Sequence, residues 1–217
     1  MFISLIASTR NASIAVRTLH TILNMNIACI KSNNRFEINF VKDNQLDKNK
    51  MLLKKLKSSD RVLILDYGIA LDVESIKKIF SKFEQGYSLQ VFPCVSENID
   101  WEMFKSKLSK DSKEPHEQMG MNFDTEVSKK ISDDNYIVKK TVPRAWVAES
   151  KQIFRHLKDK KGETIKLPNT NEEFFEKLLS KGVKMYAFTA AKPIISYQHE
   201  CIGNILESAN VNKGYTQ

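Results

Sequence analysis

The chain has 217 residues with 41% hydrophobic side chains, enough to bury one α/β core of ordinary size. No stretch approaches the roughly eighteen apolar residues of a membrane-crossing helix. The three widely spaced cysteines, Cys29, Cys94 and Cys201, suggest neither a disulfide framework nor a zinc motif, which points to a reducing, cytoplasmic setting. The net charge of +8 favours polyanions in general, but only six of the 34 basic residues are Arg, the usual reader of phosphates and base edges. The lysines are spread along helices such as Lys50-Met51-Leu52-Leu53-Lys54-Lys55-Leu56-Lys57, and no helix-turn-helix, zinc or RNP-like motif accompanies them. Sequence-specific nucleic-acid binding is therefore not expected.

In chain order, the opening Met1-Phe2-Ile3-Ser4-Leu5-Ile6-Ala7 lacks the basic n-region and the length of a secretory signal, so residues 2–7 read as a strand. Residues 13–28 place Ile14, Val16, Leu19, Ile22 and Leu23 at helical spacing. Residues 36–41 alternate as Phe36, Ile38 and Phe40 and read as a second strand. A helix over 47–56, a strand over 61–65, a helix over 72–83 and a strand over 89–95 follow. This β-α-β-α-β-α-β order specifies a parallel sheet with right-handed crossovers. The polar stretch 97–142, with Pro115, Gly120 and Ser132-Asp133-Asp134-Asn135, is expected to wrap one edge as loops and short helices. Within it, Trp101 reads as helix packing sooner than as a stacking platform. Regular structure resumes with Ala145-Trp146-Val147-Ala148, helices near 150–157 and over 171–180, and a strand over 185–188. The fold class is thus α/β, a Rossmann-like, mainly parallel central sheet flanked by helices.

Asp66 closes the run Arg61-Val62-Leu63-Ile64-Leu65, four bulky aliphatics that fit a strand buried on both faces. A carboxylate at the carboxyl end of such a strand lies where open α/β sheets bind ligands. Equally, it could be a strand-ending Asp that caps the helix starting near Asp72.

The order of residues resembles the GT-A-fold nucleotide-sugar glycosyltransferases, especially the large inverting family of cellulose and chitin synthase type. Ile3-Ser4-Leu5-Ile6-Ala7-Ser8-Thr9-Arg10-Asn11, followed by the helix holding Arg17-Thr18-Leu19, resembles the family's opening strand and turn. Phe40-Val41-Lys42-Asp43-Asn44 is similar to its second-strand end, where an aspartate meets the nucleoside. Leu63-Ile64-Leu65-Asp66-Tyr67-Gly68 resembles the segment with the DxD metal motif, and Asn171-Glu172-Glu173-Phe174-Phe175 the acidic helix. His199, after Pro193-Ile194-Ile195-Ser196-Tyr197, stands where many members carry a late metal-binding histidine.

The resemblance implies one GT-A-like domain over 1–217, with a nucleotide-binding half at 1–96 and an acceptor-side half at 97–217. It implies a glycosyltransferase moving a sugar from a nucleotide-diphosphate donor to a hydroxyl on a glycan, protein or lipid. Arg10, Asp43 and Asp66 would bind the nucleotide sugar. Asp66 and His199 would hold Mn²⁺ or Mg²⁺, which neutralises the leaving diphosphate. Glu172 or Glu173 would be the catalytic base. Peripheral membrane contact is compatible with this, without a transmembrane segment.

Each residue also has a plain reading. Asp43-Asn44 is an ordinary turn pair. Glu172 and Glu173 fit as first-turn acids favoured by the helix dipole, His199 as a histidine hydrogen-bonded at a strand end, and Cys94 and Cys201 as buried small hydrophobes. Tyr67 and Gly68 follow Asp66 where the second DxD acid would stand, and Glu-Glu replaces Glu-Asp on the acidic helix. The alternatives are therefore a catalytically inactive glycosyltransferase-like binding or structural protein and, from charge alone, a basic nucleic-acid-associated protein.

Overall fold

The computed structural model describes residues 1–110, 112, 116, 119–159, 162–163 and 167–195, so His199 and Cys201 lie outside the described residues. The first half runs β1 (Phe2–Thr9), α1 (Val16–Lys31), β2 (Arg35–Lys42), α2 (Gln45–Ser58), β3 (Arg61–Leu65), a short β4 (Ile69–Ala70), α3 (Val73–Phe80) and β5 (Leu89–Val91). The second runs β6 (Val95–Ile99), α4 (Trp101–Ser109), β7 (Met121–Phe123), β8 (Thr125–Ser132), β9 (Asn135–Thr141), β10 (Ala145–Glu149), α5 (Ser150–His156), α6 (Asn171–Ser180), β11 (Met185–Phe188) and β12 (Ile194–Ile195).

Eight strands form one sheet in the order β2-β1-β3-β10-β5-β11-β9-β8. The aliphatic runs explain its centre: all five residues of β3 are buried, and β1 pairs in parallel with both β2 and β3, Leu5 lying opposite Ile38 and Leu63. The α/β class stands, with a correction to the order of strands. β5 does not lie beside β3, because β10 inserts between them antiparallel to both, Trp146 opposite Ile64 and Val91. Ala145, Trp146, Val147 and Ala148 are all buried, a composition suited to a strand covered on both faces. β11 continues parallel to β5, and β9 and β8 add an antiparallel hairpin. The sheet is mixed, with β9 and β10 reversed.

Two further expectations are corrected. The stretch 97–142 carries the hairpin β8–β9 rather than only loops and short helices. Its Glu126, Ser128, Lys129 and Lys130 face solvent, which makes an outer strand read as a loop, while Asp134 at φ 61° supplies the left-handed residue of its turn. Also, α1 starts at Val16 and turns a different face inward. Residues 10–13 form a closed turn, Arg10 N–H to Ser13 O and the reverse at 3.1 and 2.9 Å. Thr18, Thr21, Ile22, Met25 and Cys29 are buried, whereas Val16 and Leu23 are exposed. The threonines decide this. The Thr18 hydroxyl donates to Ile69 O at 2.8 Å, and Thr21 Oγ1 accepts from Leu71 N–H at 3.0 Å, so the helix satisfies the backbone around β4 instead of burying its widest apolar stripe.

Each sheet face carries its own core. Ile3, Leu5, Leu63 and Leu65 pack under α1 and α3 through Ile22, Met25, Ile76 and Ile79. The intervening Ile6, Val62 and Ile64, with Trp146, pack under α2, α5 and α6 through Leu52, Leu56, Ile153 and Phe175. Trp146 meets Phe175 edge to face at 5.4 Å, a geometry that adds to simple burial. This second core fixes α6 against the sheet and sets where its first turn emerges. Trp101 packs edge to face on Phe104 at 5.9 Å and stays partly exposed.

Candidate functional site

The carboxyl ends of β1, β2 and β3 deliver Arg10, Asp43 and Asp66 to one rim of the sheet, in keeping with the parallel register of the three strands. β10 runs the other way, so its beginning brings Arg144 to the same rim: Asp66 N–H donates to Arg144 O at 2.9 Å. The Asp43 end leads directly into α2. Asn44 caps that helix by accepting from Asp47 N–H at 2.9 Å, and the first turn then carries Lys48 back over the rim.

Lys48 Nζ lies 2.6 Å from Asp66 Oδ1 and 3.0 Å from Asp43 Oδ1. Arg10 Nε donates to the other oxygen of Asp43 at 2.7 Å, and its guanidinium lies over the Tyr67 ring at 4.9 Å. Ser8 Oγ adds a long contact to Asp66 at 3.5 Å. The capping alternative for Asp66 is not what the structure adopts. Asp72 occupies the position before α3, its carboxylate accepting from Ser75 and, at 3.1 Å, from Lys192 N–H.

Burial and charge compete along this chain of groups. For Asp43, burial pushes the carboxyl up, but hydrogen bonds from Arg10 and Lys48 and their positive charges outweigh it and hold the group below the ordinary range. For Lys48, burial favours loss of the proton, and the Asp66 and Asp43 carboxylates more than reverse this, so the ammonium form is held. Asp66 goes the other way: its burial outweighs the Lys48 ammonium, Asp43 adds repulsion, and its carboxyl is raised.

A cavity of about 510 Å³ opens beside this cluster, with Asp66, Asp124, Lys140, Arg144, Asn171 and Glu172 in its walls, a size typical of small-molecule sites. Asp124 is a structural hub. Its carboxylate accepts from Cys94 N–H at 3.0 Å, Thr125 Oγ at 2.8 Å and Arg144 N–H at 3.2 Å. Burial nonetheless raises it to about 6, these donors only partly opposing the shift. Arg144 also donates through Nη2 to Tyr67 O at 3.2 Å, locking the residue after Asp66. In the same cavity Glu172 is exposed and pairs with Lys140 at 3.1 Å. Glu173 is exposed and outside the cavity walls, its N–H bonded to the Thr170 cap at 3.3 Å.

Of the residues expected at a site, Arg10, Asp43 and Asp66 therefore come together, and Glu172 faces the same cavity as Asp66. Lys48, Asp124, Lys140 and Arg144 were not singled out from the sequence. Lys48 stands one turn into the helix that follows the Asp43-Asn44 cap, a position that points back at the strand ends and could have been noticed. Asp124 and Lys140 sat in the polar stretch, with no local signal.

The described residues do not fit a divalent cation as they stand. No three His, Cys, Asp or Glu among them share a point where a metal could bind. Asp66 Oδ1 is already matched to an ammonium, and both oxygens of Asp124 are engaged by N–H and O–H donors. No helix among the described residues is long and apolar enough to cross a membrane.

No family profile matches the chain, and no curated protein matches it. Among solved structures, A197 from STIV is similar in fold, with 13% identity and a TM-score of 0.51 over 89% of this chain and 84% of that one. HddC from Yersinia pseudotuberculosis has 11% identity and a TM-score of 0.45 over 94% of this chain and 99% of that one. A 4-diphosphocytidyl-2C-methyl-D-erythritolsynthase from Anaerococcus prevotii DSM 20548 has 15% identity and a TM-score of 0.42 over 86% and 87%. At these identities the likeness to A197 supports the central mixed sheet flanked by helices and nothing finer.

Proposed function

We propose that this rim binds a nucleotide-diphosphate sugar and transfers the sugar to a hydroxyl acceptor. The observation that carries the reading is the joining of Asp66, at the end of a central strand, to Glu172, at the start of α6, in the walls of one cavity. Asp43 and Asp66 offer carboxylates for ribose hydroxyls. Arg10, Lys48 and Arg144 place positive charge where a diphosphate would leave. Glu172 is the candidate base for the acceptor proton. Glu173, which is not in the cavity walls, has no part in this reading.

A divalent ion would act as a Lewis acid on the departing diphosphate. The donor set in hand does not fit one, so no step is assigned to it, and His199 carries no role here. The non-catalytic alternative draws on the Lys140–Glu172 pair, which occupies the carboxylate that would have to accept a proton. The polyanion alternative has a specific location: Lys42, Lys50 and Lys54 line a groove with Phe40 and Met51.

Thermal shift with UDP- and GDP-sugars, with and without Mn²⁺, tests the proposal. Saturable stabilisation that Asp66→Asn abolishes, together with sugar release that Glu172→Gln slows, is the expected result. Failure of every nucleotide sugar to stabilise the chain would overturn it. Binding that Glu172→Gln leaves intact, with no turnover in the wild type, would select the non-catalytic form. A steep salt dependence of DNA binding that Lys50 and Lys54 substitutions flatten would select the polyanion form.

A further inference from the structure

We propose that Lys48 is a built-in cation: its ammonium occupies the seat between Asp43 and Asp66 that a divalent ion would take, which makes ligand binding at this rim independent of metal. The inference rests on the nucleotide-sugar reading only for the kind of ligand. The arrangement of charges stands without it.

Three observations carry it. The ammonium is in hydrogen-bond contact with both carboxylates, 2.6 Å from Asp66 and 3.0 Å from Asp43. Its side chain is only 13% exposed, and the capped first turn of α2 fixes its root. It is thus a positioned group rather than a surface lysine folded over in passing. The backbone beyond Asp66 also supplies no second acid. Gly68 takes the left-handed conformation at φ 79°, a position that glycine adopts without strain and that other residues rarely take. With Arg10 on Asp43, the four groups Arg10, Lys48, Asp43 and Asp66 balance to zero charge. A divalent ion entering the same space would meet the ammonium at contact distance and would have to evict it first. A lysine ammonium carries three N–H donors, two of which these carboxylates take.

The test is Mn²⁺ titration followed by the paramagnetic signal of the free ion, on the full chain. The wild type is expected to show no saturable binding up to roughly millimolar Mn²⁺, the weak end of protein-held divalent cations. Lys48→Met keeps the apolar stem and removes the charge, so it should gain a Mn²⁺ site that Lys48→Met/Asp66→Asn loses again. Saturable binding by the wild type that Asp66→Asn abolishes would overturn the proposal, and so would a folded Lys48→Met with no gain. If Lys48→Met does not fold, the wild-type titration still decides, supported by UDP binding in Mn²⁺ and in EDTA. Equal UDP affinities support the inference, and a tenfold gain with Mn²⁺ overturns it. If UDP does not bind at all, the nucleotide-sugar reading fails, while the Mn²⁺ titration continues to test Lys48.

Discussion

Two lysine–carboxylate pairs each contribute their carboxylate to the walls of the same cavity and differ in their exposure. Lys48 meets Asp66 at 2.6 Å with both side chains less than a fifth exposed, whereas Lys140 meets Glu172 at 3.1 Å with both about half exposed. Their geometry is alike and their solvent is not. In the dry pair, each charge depends on the other, because neither can recover its hydration while the fold persists. In the wet pair, water replaces either partner at little loss, and salt screens what attraction there is. The first pair therefore organises the rim, and the second leaves a carboxylate ready for exchange with a ligand.

The largest effect should come from breaking the dry pair on one side. Lys48→Met leaves Asp43 and Asp66 as neighbouring carboxylates without their shared cation, and the expected loss is about 3–5 kcal/mol, or roughly 10 °C in Tm for a chain of this size. Calorimetry of wild type and variant at neutral pH measures it. Adding Asp66→Asn to Lys48→Met should return part of that stability, since it removes one of the stranded charges. A loss in the double variant equal to the sum of the single losses would show that the two groups are not coupled.

A second, smaller effect separates the carboxylates by the sign of their pH dependence. Asp124 is raised from 3.8 to about 6 in the fold. The native state thus holds this proton more tightly than the unfolded chain, and stability from Asp124 falls as pH rises from about 4 to 6, by about 3 kcal/mol at most. Asp66 is raised and contributes in the same direction. Asp43 is lowered, so its contribution is present above its unfolded value and is lost as pH falls through its native one. Asp124→Asn, which stays neutral, should therefore be most destabilised relative to wild type near pH 4, and the gap should narrow by pH 7. Chemical denaturation across that range checks the sign, and a widening gap would refute the assignment.

How much of this was legible follows the same division between dry and wet. The strands β1 and β3 are apolar runs that burial alone explains; Asp66 is identifiable because it ends one of them, and Asp43 because it ends the alternating β2. What the sequence hid depends on partners far away in the chain. Lys48 resembles every other lysine on α2 until β3 is laid beside it. β10 reads as a strand, but nothing local states that it slots antiparallel between β3 and β5, and that insertion is what brings Arg144 to the rim. Asp124 sits between the exposed Phe123 and the hairpin, and only the approach of Cys94 and Arg144 makes it buried. On α1 the visible apolar spacing misled, because two threonines bonded to the backbone around β4 outrank it.

The smallest expected change in stability is at the wet pair, where it should coincide with a large change in turnover. Lys140 and Glu172 are both solvent-facing, so Lys140→Ala and Glu172→Gln should leave Tm unmoved within error. The Glu172 carboxylate raises the proton affinity of Lys140, through their hydrogen bond first and their opposite charges second. Glu172→Gln should lower turnover by about 10²- to 10⁴-fold. A Glu172→Gln variant with full turnover would remove Glu172 from the role of base.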